Sequence, residues 1–362
     1  MQAQEFPAGI DYCVDSYGWS PVRLLKVGAA LSLSGRFARF GRQAAAGLRA
    51  WRSLGAKDVE LRIEDDESDL TRIRDCVARL AGSCDVLLGP YSSTLMRAAA
   101  DARPDTRTLI WNHGGAADDV QRRPGARIVS VLTPAGRYST PFLHHLSTLT
   151  GIERLLIVHG RGGFARQVAA GAESLAREHG IEADSVSAES EAWARSRAAS
   201  SGSERVALLC AGSFEEDVLS VSRARAWPRP PAVVCAVAAG VQEFQAAVED
   251  PAGIFGVAQW IAGGAARDDV GLAEGQFVEA YRRLTGSLPD YPGAQAAASA
   301  ALALHCADAA GSTDPEAMWE AAVELRTRTF FGEFAIDRRS GEQTAHETVL
   351  AVWKPDGLAR AD

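Results

Sequence analysis

Two stretches of this chain are written in nearly the same words. The strand-like run Arg23-Leu24-Leu25-Lys26-Val27 leads through a loop holding Gly35-Arg36 into a helix that opens Arg42-Gln43-Ala44-Ala45-Ala46-Gly47. Later, Arg154-Leu155-Leu156-Ile157-Val158 leads through Gly160-Arg161 into Arg166-Gln167-Val168-Ala169-Ala170-Gly171. A chain rich in Ala and Arg can repeat a hexapeptide by chance. Strand, loop and helix recurring in the same order point instead to a duplicated unit, and so to two homologous lobes. A length of 362 residues, 47% of them hydrophobic, suits that reading, because one ordinary core seldom grows so large.

The text around each copy has one character. Short apolar runs (Leu24 to Leu33, Val59 to Glu64, Val86 to Gly89, Thr108 to Trp111) alternate with helix-period segments (Gly41 to Leu54, Leu70 to Leu80, Thr94 to Ala102). Strands without polar alternation, separated by amphipathic helices, predict an α/β layer with a parallel sheet covered on both faces. The second copy continues with strands at Val206 to Cys210, Ala232 to Ala236 and Ile254 to Trp260, and a helix from Phe214 to Ala226. Long helices are then expected over Gly271 to Leu284 and Gly293 to Ala310. After them, residues 329 to 337 and 346 to 354 read as two strands joined by a turn through Arg338 to Gly341. Such a chain crosses between its lobes more than once, which makes a hinge. The expected division is 23–133 with 262–328 as lobe one and 134–261 with 329–357 as lobe two. Residues 1–22 are left as an extension and 358–362 as a tail.

Composition removes several functions. Formal net charge is −8 and lysine occurs only at 26, 57 and 354, with no basic stripe for nucleic acid. No apolar stretch reaches 18 residues, so no membrane-spanning segment is expected. The first 22 residues carry no Lys or Arg, and Glu5, Asp11 and Asp15 interrupt their short apolar runs, so they do not read as a secretion signal. Six cysteines (13, 76, 84, 210, 235, 306) show no C-x-x-C pair and no zinc spacing, so neither a metal nor a cofactor is expected.

Ligands of open parallel sheets sit at the carboxyl ends of strands, which directs attention to the loops there. The first runs from Ser32 to Gly41; Ser34 and Gly35 stand where free N–H groups favour an anion or a carbonyl, or Ser34 merely caps the helix. It lacks G-x-G-x-x-G, so a dinucleotide has no support. The second loop is Gly89-Pro90-Tyr91-Ser92-Ser93-Thr94 and the third is Trp111-Asn112-His113-Gly114-Gly115-Ala116-Ala117. His113-Gly114-Gly115 resembles an esterase oxyanion hole, yet the chain has no G-x-S-x-G nucleophile elbow and no other catalytic motif, so an enzyme is not expected. The second lobe offers Arg161 and Phe164, then Ser213 and Phe214, then Ala238 to Val241. Phe164 and Phe214 can equally be core residues. Trp260 at a predicted crossing and Tyr291 before a long helix complete the candidates.

Taken together, Leu31-Ser32-Leu33-Ser34-Gly35 through Gly41, Asp65-Asp66-Glu67-Ser68-Asp69, Leu88 to Ser93, Asn112 to Ala116 and Phe331-Gly332-Glu333-Phe334 with Gly341-Glu342-Gln343 form a series. That series resembles the solute-binding proteins of branched-chain amino-acid ABC transporters. These share a type I periplasmic-binding fold with the amide sensor of the amidase operon, and the resemblance runs from about residue 23 to 357. It implies two Rossmann-like lobes joined by three crossovers and closing on a small ligand. It also implies that Ser34, Ser92, Ser93 and the loop from Gly114 to Ala116 hold a ligand carboxylate or carbonyl. Phe40 stands where the branched-chain binders carry a tyrosine.

Two departures bear on the ligand. A threonine expected near Ala116 is missing, and the acid that would receive a ligand ammonium is replaced within Ala238-Ala239-Gly240. A buried ammonium without a carboxylate is costly. The expected ligand is therefore a small carboxylic acid or amide with an apolar or aromatic body, packed by Phe40, Tyr91, Phe164, Phe214 or Trp260. An ABC-transporter permease is the expected partner, and a cytosolic sensor acting on a regulatory partner is the alternative. Location stays open between periplasmic or extracellular, as the resemblance implies, and cytoplasmic, if the chain start is genuine.

Overall fold

The computed structural model describes residues 12–15, 18–21, 24–55, 58–105, 107–123, 125, 127–190, 193, 205–264 and 269–361. A short antiparallel pair, β1 (Tyr12–Asp15) with β2 (Gly18–Pro21), precedes the main body. The rest of the expected extension lies outside the described residues.

The first sheet is built from β3 (Leu25–Leu31), α1 (Ala38–Ser53), β4 (Val59–Asp65), α2 (Leu70–Ala81), β5 (Val86–Leu88), α3 (Ser93–Asp101), β6 (Ile110–Asn112), α4 (Asp118–Gln121) and β7 (Ile128–Ser130). Its strand order is β4-β3-β5-β6-β7, all parallel. On β3, Val27, Ala29 and Leu31 face one core while Ala30 faces another, formed with Ile73, Val77 and Leu80 of α2 and Leu95 and Met96 of α3. Burial on both faces explains why the strand reads as hydrophobic text after Lys26. Asp69 starts α2 by accepting from Thr71 N and Arg72 N.

The second sheet follows α5 (Thr140–Thr148) and comprises β8 (Arg154–His159), α6 (Gly163–Glu178), β9 (Glu182–Ser187), β10 (Val206–Ala211), α7 (Phe214–Arg225), β11 (Val233–Ala236), α8 (Phe244–Ala247) and β12 (Phe255–Ala258). Helices α9 (Glu274–Thr285), α10 (Tyr291–Ala310) and α11 (Pro315–Glu324) come next, of which α9 and α10 pack against α1 of the first sheet. The chain closes with β13 (Thr327–Thr329), β14 (Gly332–Phe334), β15 (Val349–Lys354) and β16 (Gly357–Arg360). The order of the second sheet is β16-β15-β12-β11-β10-β8-β9, with β15 and β16 antiparallel to their neighbours. This is a two-lobed α/β architecture with parallel sheets flanked by helices.

The duplicated text does the same work in both copies. Arg42 Nε donates to Leu33 O at 2.8 Å, and Arg166 donates to Arg161 O, so each arginine ties its helix to the loop before it. Gly47 lets α1 approach α10: a Cβ there would lie 2.1 Å from Gly293 O. Gly171 does the same for α6, with a Cβ at 2.0 Å from Gly136 O. A side chain at either position would meet fixed backbone.

The C-terminal reading needs correction. Residues 329–337 and 346–354 do not pair with each other. Phe330 and Phe331 instead form the tip of a small hairpin between β13 and β14, and both rings are buried. Strand β15 pairs with β12 in the second sheet, because its apolar Leu350, Ala351 and Trp353 complete that core. Residues 358–360, expected as tail, belong to β16 on the sheet edge.

The polypeptide passes from the first sheet to the second after β7, returns after β12 and crosses again between β14 and β15. One residue from each crossing meets the others. Thr133 N donates to Gln259 Oε1 at 2.9 Å, and Gln259 Nε2 donates to Thr133 O at 3.0 Å. The Thr133 hydroxyl lies 2.7 Å from His346 Nδ1 and donates to His346 O at 3.0 Å. All three residues are buried. His346 stacks on Phe331, and burial pushes its pKa down to about 4.

Candidate ligand-binding site

A cavity of about 590 Å³ lies between the loops at the carboxyl ends of the two sheets. The first sheet contributes Arg36, Phe37, Arg39 and Phe40 after β3, Tyr91, Ser92, Ser93 and Thr94 after β5, and Gly114 and Ala116 after β6. The second contributes Arg161, Gly162 and Phe164 after β8, Ser213 to Glu216 after β10, and Val237, Ala238 and Val241 after β11. Leu132, Tyr138 and Gln259 come from the crossings, Tyr291 and Gln295 from α10.

Aromatic rings make up much of the wall. Phe40 stacks on Tyr91 with centroids 4.4 Å apart, and Tyr138 meets Phe164 edge to face at 5.3 Å. The Arg39 guanidinium sits 4.3 Å from the centre of the Phe214 ring and donates to Glu215 at 2.9 Å, joining the β3 loop to α7 across the cleft. Below the rings runs a chain of hydroxyls. The Tyr91 and Tyr291 hydroxyls are 2.8 Å apart, and the Tyr138 hydroxyl lies near Tyr291 and Gln259 of the crossing cluster. Burial raises the pKa of all three phenols, so they stay neutral hydrogen-bonding groups.

The two serines after β5 are set by the backbone. Ser92 has φ of +88°, and its hydroxyl accepts from Leu95 N to cap α3. Ser93 Oγ accepts from Ala117 N at 2.9 Å, fixing the β6 loop against the helix start. Gly114 is required where that loop passes Tyr91, since a Cβ would come within 2.5 Å of Tyr91 Cα. The first N–H groups of α3 have no intrahelical carbonyl to serve, and this end of the helix faces the cavity. In the opposite wall, Ser213 and Glu216 close a capping box on α7.

Of the residues read from the sequence, Phe40, Tyr91, Ser92, Ser93, Gly114, Ala116, Arg161, Phe164, Ser213, Phe214 and Tyr291 line the cavity. Six others stand elsewhere. Ser34 is drawn away by Asp65, to which its hydroxyl donates at 2.8 Å, and Gly35 is pressed against Glu67 O. Asn112 is buried under the β6 loop, accepting from Gly115 N and donating to Gly115 O and Ser130 Oγ, and Gly115 packs on Met96. His113 is fully buried, which pushes its pKa down to about 4. Trp260 donates to Phe330 O and packs edge-on against Phe277, inside the core below the hinge.

The sequence reading also missed residues. Arg39 and Phe37 follow named candidates at helical spacing, and that spacing was the available signal. Tyr138, Gln259 and Gln295 carry no local motif; only the tertiary arrangement brings them in. The absence of an acid at Ala238 to Gly240 does not mean an uncharged second wall, because Glu189, Glu215 and Glu216 line the cavity. Each is engaged: Glu189 by Arg161, Glu215 by Arg39, and Glu216 by Ser213 N at 2.7 Å. Asp217 behind them accepts from Gly212 N and Ala238 N, and burial drives its pKa up to about 7.

Gln295 is different. It is 1% exposed, and neither amide atom has a hydrogen-bond partner among the described residues. Leaving a buried polar atom unpaired costs about 1–3 kcal/mol. One turn further along α10, the buried Ser299 hydroxyl is also without a partner among the described residues.

Among the described residues no cluster of three His, Cys, Asp or Glu side chains could hold a metal, and no helix is long and apolar enough to cross a membrane. Cys76, Cys84, Cys210, Cys235 and Cys306 are free thiols.

The fold is similar to that of a leucine-binding protein, LivK, from Thermotoga maritima, with a TM-score of 0.80 at 17% identity over 93% of this chain and 98% of that one. It is also similar to a solute-binding protein of an ABC transporter from Rhodopseudomonas palustris, solved with 3,4-dihydroxybenzoic acid (TM-score 0.74, 14% identity, 93% and 97% coverage). A third similar structure is LivJ from Streptococcus pneumoniae in complex with isoleucine (TM-score 0.73, 14% identity, 93% and 99% coverage). The periplasmic binding protein family profile matches residues 25–358, which contain the first sheet, all of the second but the end of its edge strand β16, all three crossings and every wall of the cavity. The chain belongs to the periplasmic binding protein family.

Proposed function

We propose that this protein captures a small carboxylic acid or amide with an apolar or aromatic body, as the substrate-binding component of an ABC transporter. Its lobes divide at the three crossings, through Thr133, Gln259 and His346, and close on the ligand without chemical turnover. The ligand carboxylate or carbonyl meets the start of α3 and the β6 loop, around Ser92, Ser93, Gly114 and Ala116. Its body packs among Phe40, Tyr91, Phe164 and Phe214, where each well-buried apolar group contributes about 1.5–3 kcal/mol.

The observation that carries this reading is the state of the wall charges. The carboxylates of Glu189, Glu215 and Glu216 are taken by Arg161, Arg39 and the start of α7. A ligand ammonium would have to break one of these pairs or stay buried and uncompensated. Similar structures hold either an amino acid or an aromatic acid, so the fold accommodates both and the wall decides. Thermal-shift measurements with matched acids, amides and amino acids test it. Aromatic acids or amides are expected to raise the melting midpoint, since ligand that binds only the folded state stabilises it by mass action. Preferential stabilisation by leucine or valine would overturn it.

A further inference from the structure

Resting on that reading of the cavity, we propose that Gln295 determines specificity by pairing with a neutral hydroxyl or carboxamide carried on the ligand body. Helix α10 is Ala-rich and fifteen of its twenty residues are buried. Its buried polar side chains Tyr291, Gln295 and Ser299 recur every four residues and so fall on one face. That face begins at the cavity, which both Tyr291 and Gln295 line. The Tyr291 hydroxyl is bonded to Tyr91, whereas the amide of Gln295 is buried with neither atom paired among the described residues. A leucine or methionine would fill the same space in this apolar helix without leaving two polar atoms unpaired.

The chemistry of the amide selects the partner. It presents one donor group and one acceptor on the same plane. A carboxylate would satisfy Nε2 and be repelled by Oε1, and an ammonium would do the reverse. Neither Tyr291 nor Ser299 beside it carries a countercharge, so a charged ligand group would be buried unpaired. A hydroxyl or a carboxamide both gives and accepts a hydrogen bond, and so satisfies the whole side chain. A site built on such pairing rejects the analogue that lacks the group far more strongly than an apolar pocket rejects a methylene.

The test is calorimetric titration of the full chain with benzoate and its 2-, 3- and 4-methyl, hydroxy and carbamoyl derivatives. At least one hydroxy or carbamoyl isomer is expected to bind tenfold or more tightly than the methyl isomer of the same position. Gln295→Met should bring that ratio to within twofold. The melting midpoint of ligand-free Gln295→Met should equal or exceed that of the wild type, and Gln295→Leu serves as the second variant. The hydroxy and carbamoyl arms separate the two groups. If the wild type binds the acids but shows no preference for a polar substituent, or Gln295→Met retains the preference, the proposal for Gln295 is overturned and the ligand class stands. If none of the acids binds, the ligand class is overturned and the proposal with it.

Discussion

Gly171 and His113 show how differently single residues in this chain earn their positions. A Cβ at Gly171 would stand 2.0 Å from Gly136 O, so Gly171→Ala must push α6 off the backbone it packs on. Overpacking of this kind costs about 1–3 kcal/mol, which a shift in the urea unfolding midpoint measures. An unchanged midpoint would mean that the two segments can separate freely. His113 is a titration case. Its native pKa is lowered to about 4 by burial, so between pH 6.5 and 4 the unfolded chain binds a proton that the native state refuses. The stability linked to it is complete above about pH 6.5 and is lost as pH falls toward 4, at about 1.4 kcal/mol per unit. His113→Leu should therefore lose less stability than the wild type on acidification through that window. Asp217, raised to about 7, has the opposite sign and is common to both proteins, so the difference isolates the histidine. Parallel stability curves for the two proteins would refute the assignment. From the sequence, His113 was legible as part of a strand-end loop. That it points into the core was not, because a buried and a cleft-facing imidazole leave the same letters in the chain.

Among the elements, the strands and helices that were read stand in the order given, because buried strands write themselves into apolar runs, but β7 and β9 went unread, β9 because Glu182–Ser187 is a polar, part-exposed edge strand. The hexapeptides RQAAAG and RQVAAG were legible as repetition, and the structure supplies their reason in the loop-tying arginines and close-approach glycines. The C-terminal pair was misread because TFFGEFAID contains a turn hidden by large apolar residues, with Phe330 and Phe331 buried where a polar turn would be expected. Tertiary burial overrode local turn chemistry there. The crossing cluster was not legible at all, since Thr133, Gln259 and His346 are far apart in sequence and individually unremarkable. It carries its own expectation. Thr133→Val removes the hydroxyl that contacts His346 but leaves the main-chain pairing with Gln259, so the loss should fall near 1–3 kcal/mol. Calorimetric unfolding checks the magnitude, and a loss well below that range would mean that the Thr133 hydroxyl does not hold His346 in place.

For the molecule as a whole, the question is what holds the two lobes together across the cavity. Arg39 reaches over the cleft to the Phe214 ring and Glu215, with Glu243 at 3.7 Å. On another side, Gln167 of α6 accepts from Asp118 N at 2.8 Å and donates to Asp119, and Asp290 at the head of α10 accepts from Gln242 N. These contacts join elements that pack on the first sheet to elements of the second, so they oppose an opening of the cleft between them. Arg39 and Glu215 are part-exposed, and an exposed ion pair alone is worth at most about 1 kcal/mol, with the ring contact adding a similar amount. A latch of that size biases an open-to-closed equilibrium without locking it, which leaves the ligand to supply the remaining differential affinity. Arg39→Ala should therefore enlarge the radius of gyration of the ligand-free protein in small-angle scattering, while saturating ligand returns it to the compact value of the wild type. The apparent affinity should fall about tenfold, because part of the binding energy now goes into closure. Equal scattering profiles for both proteins with and without ligand would show that the lobes do not move, and that the cavity fills without hinge closure.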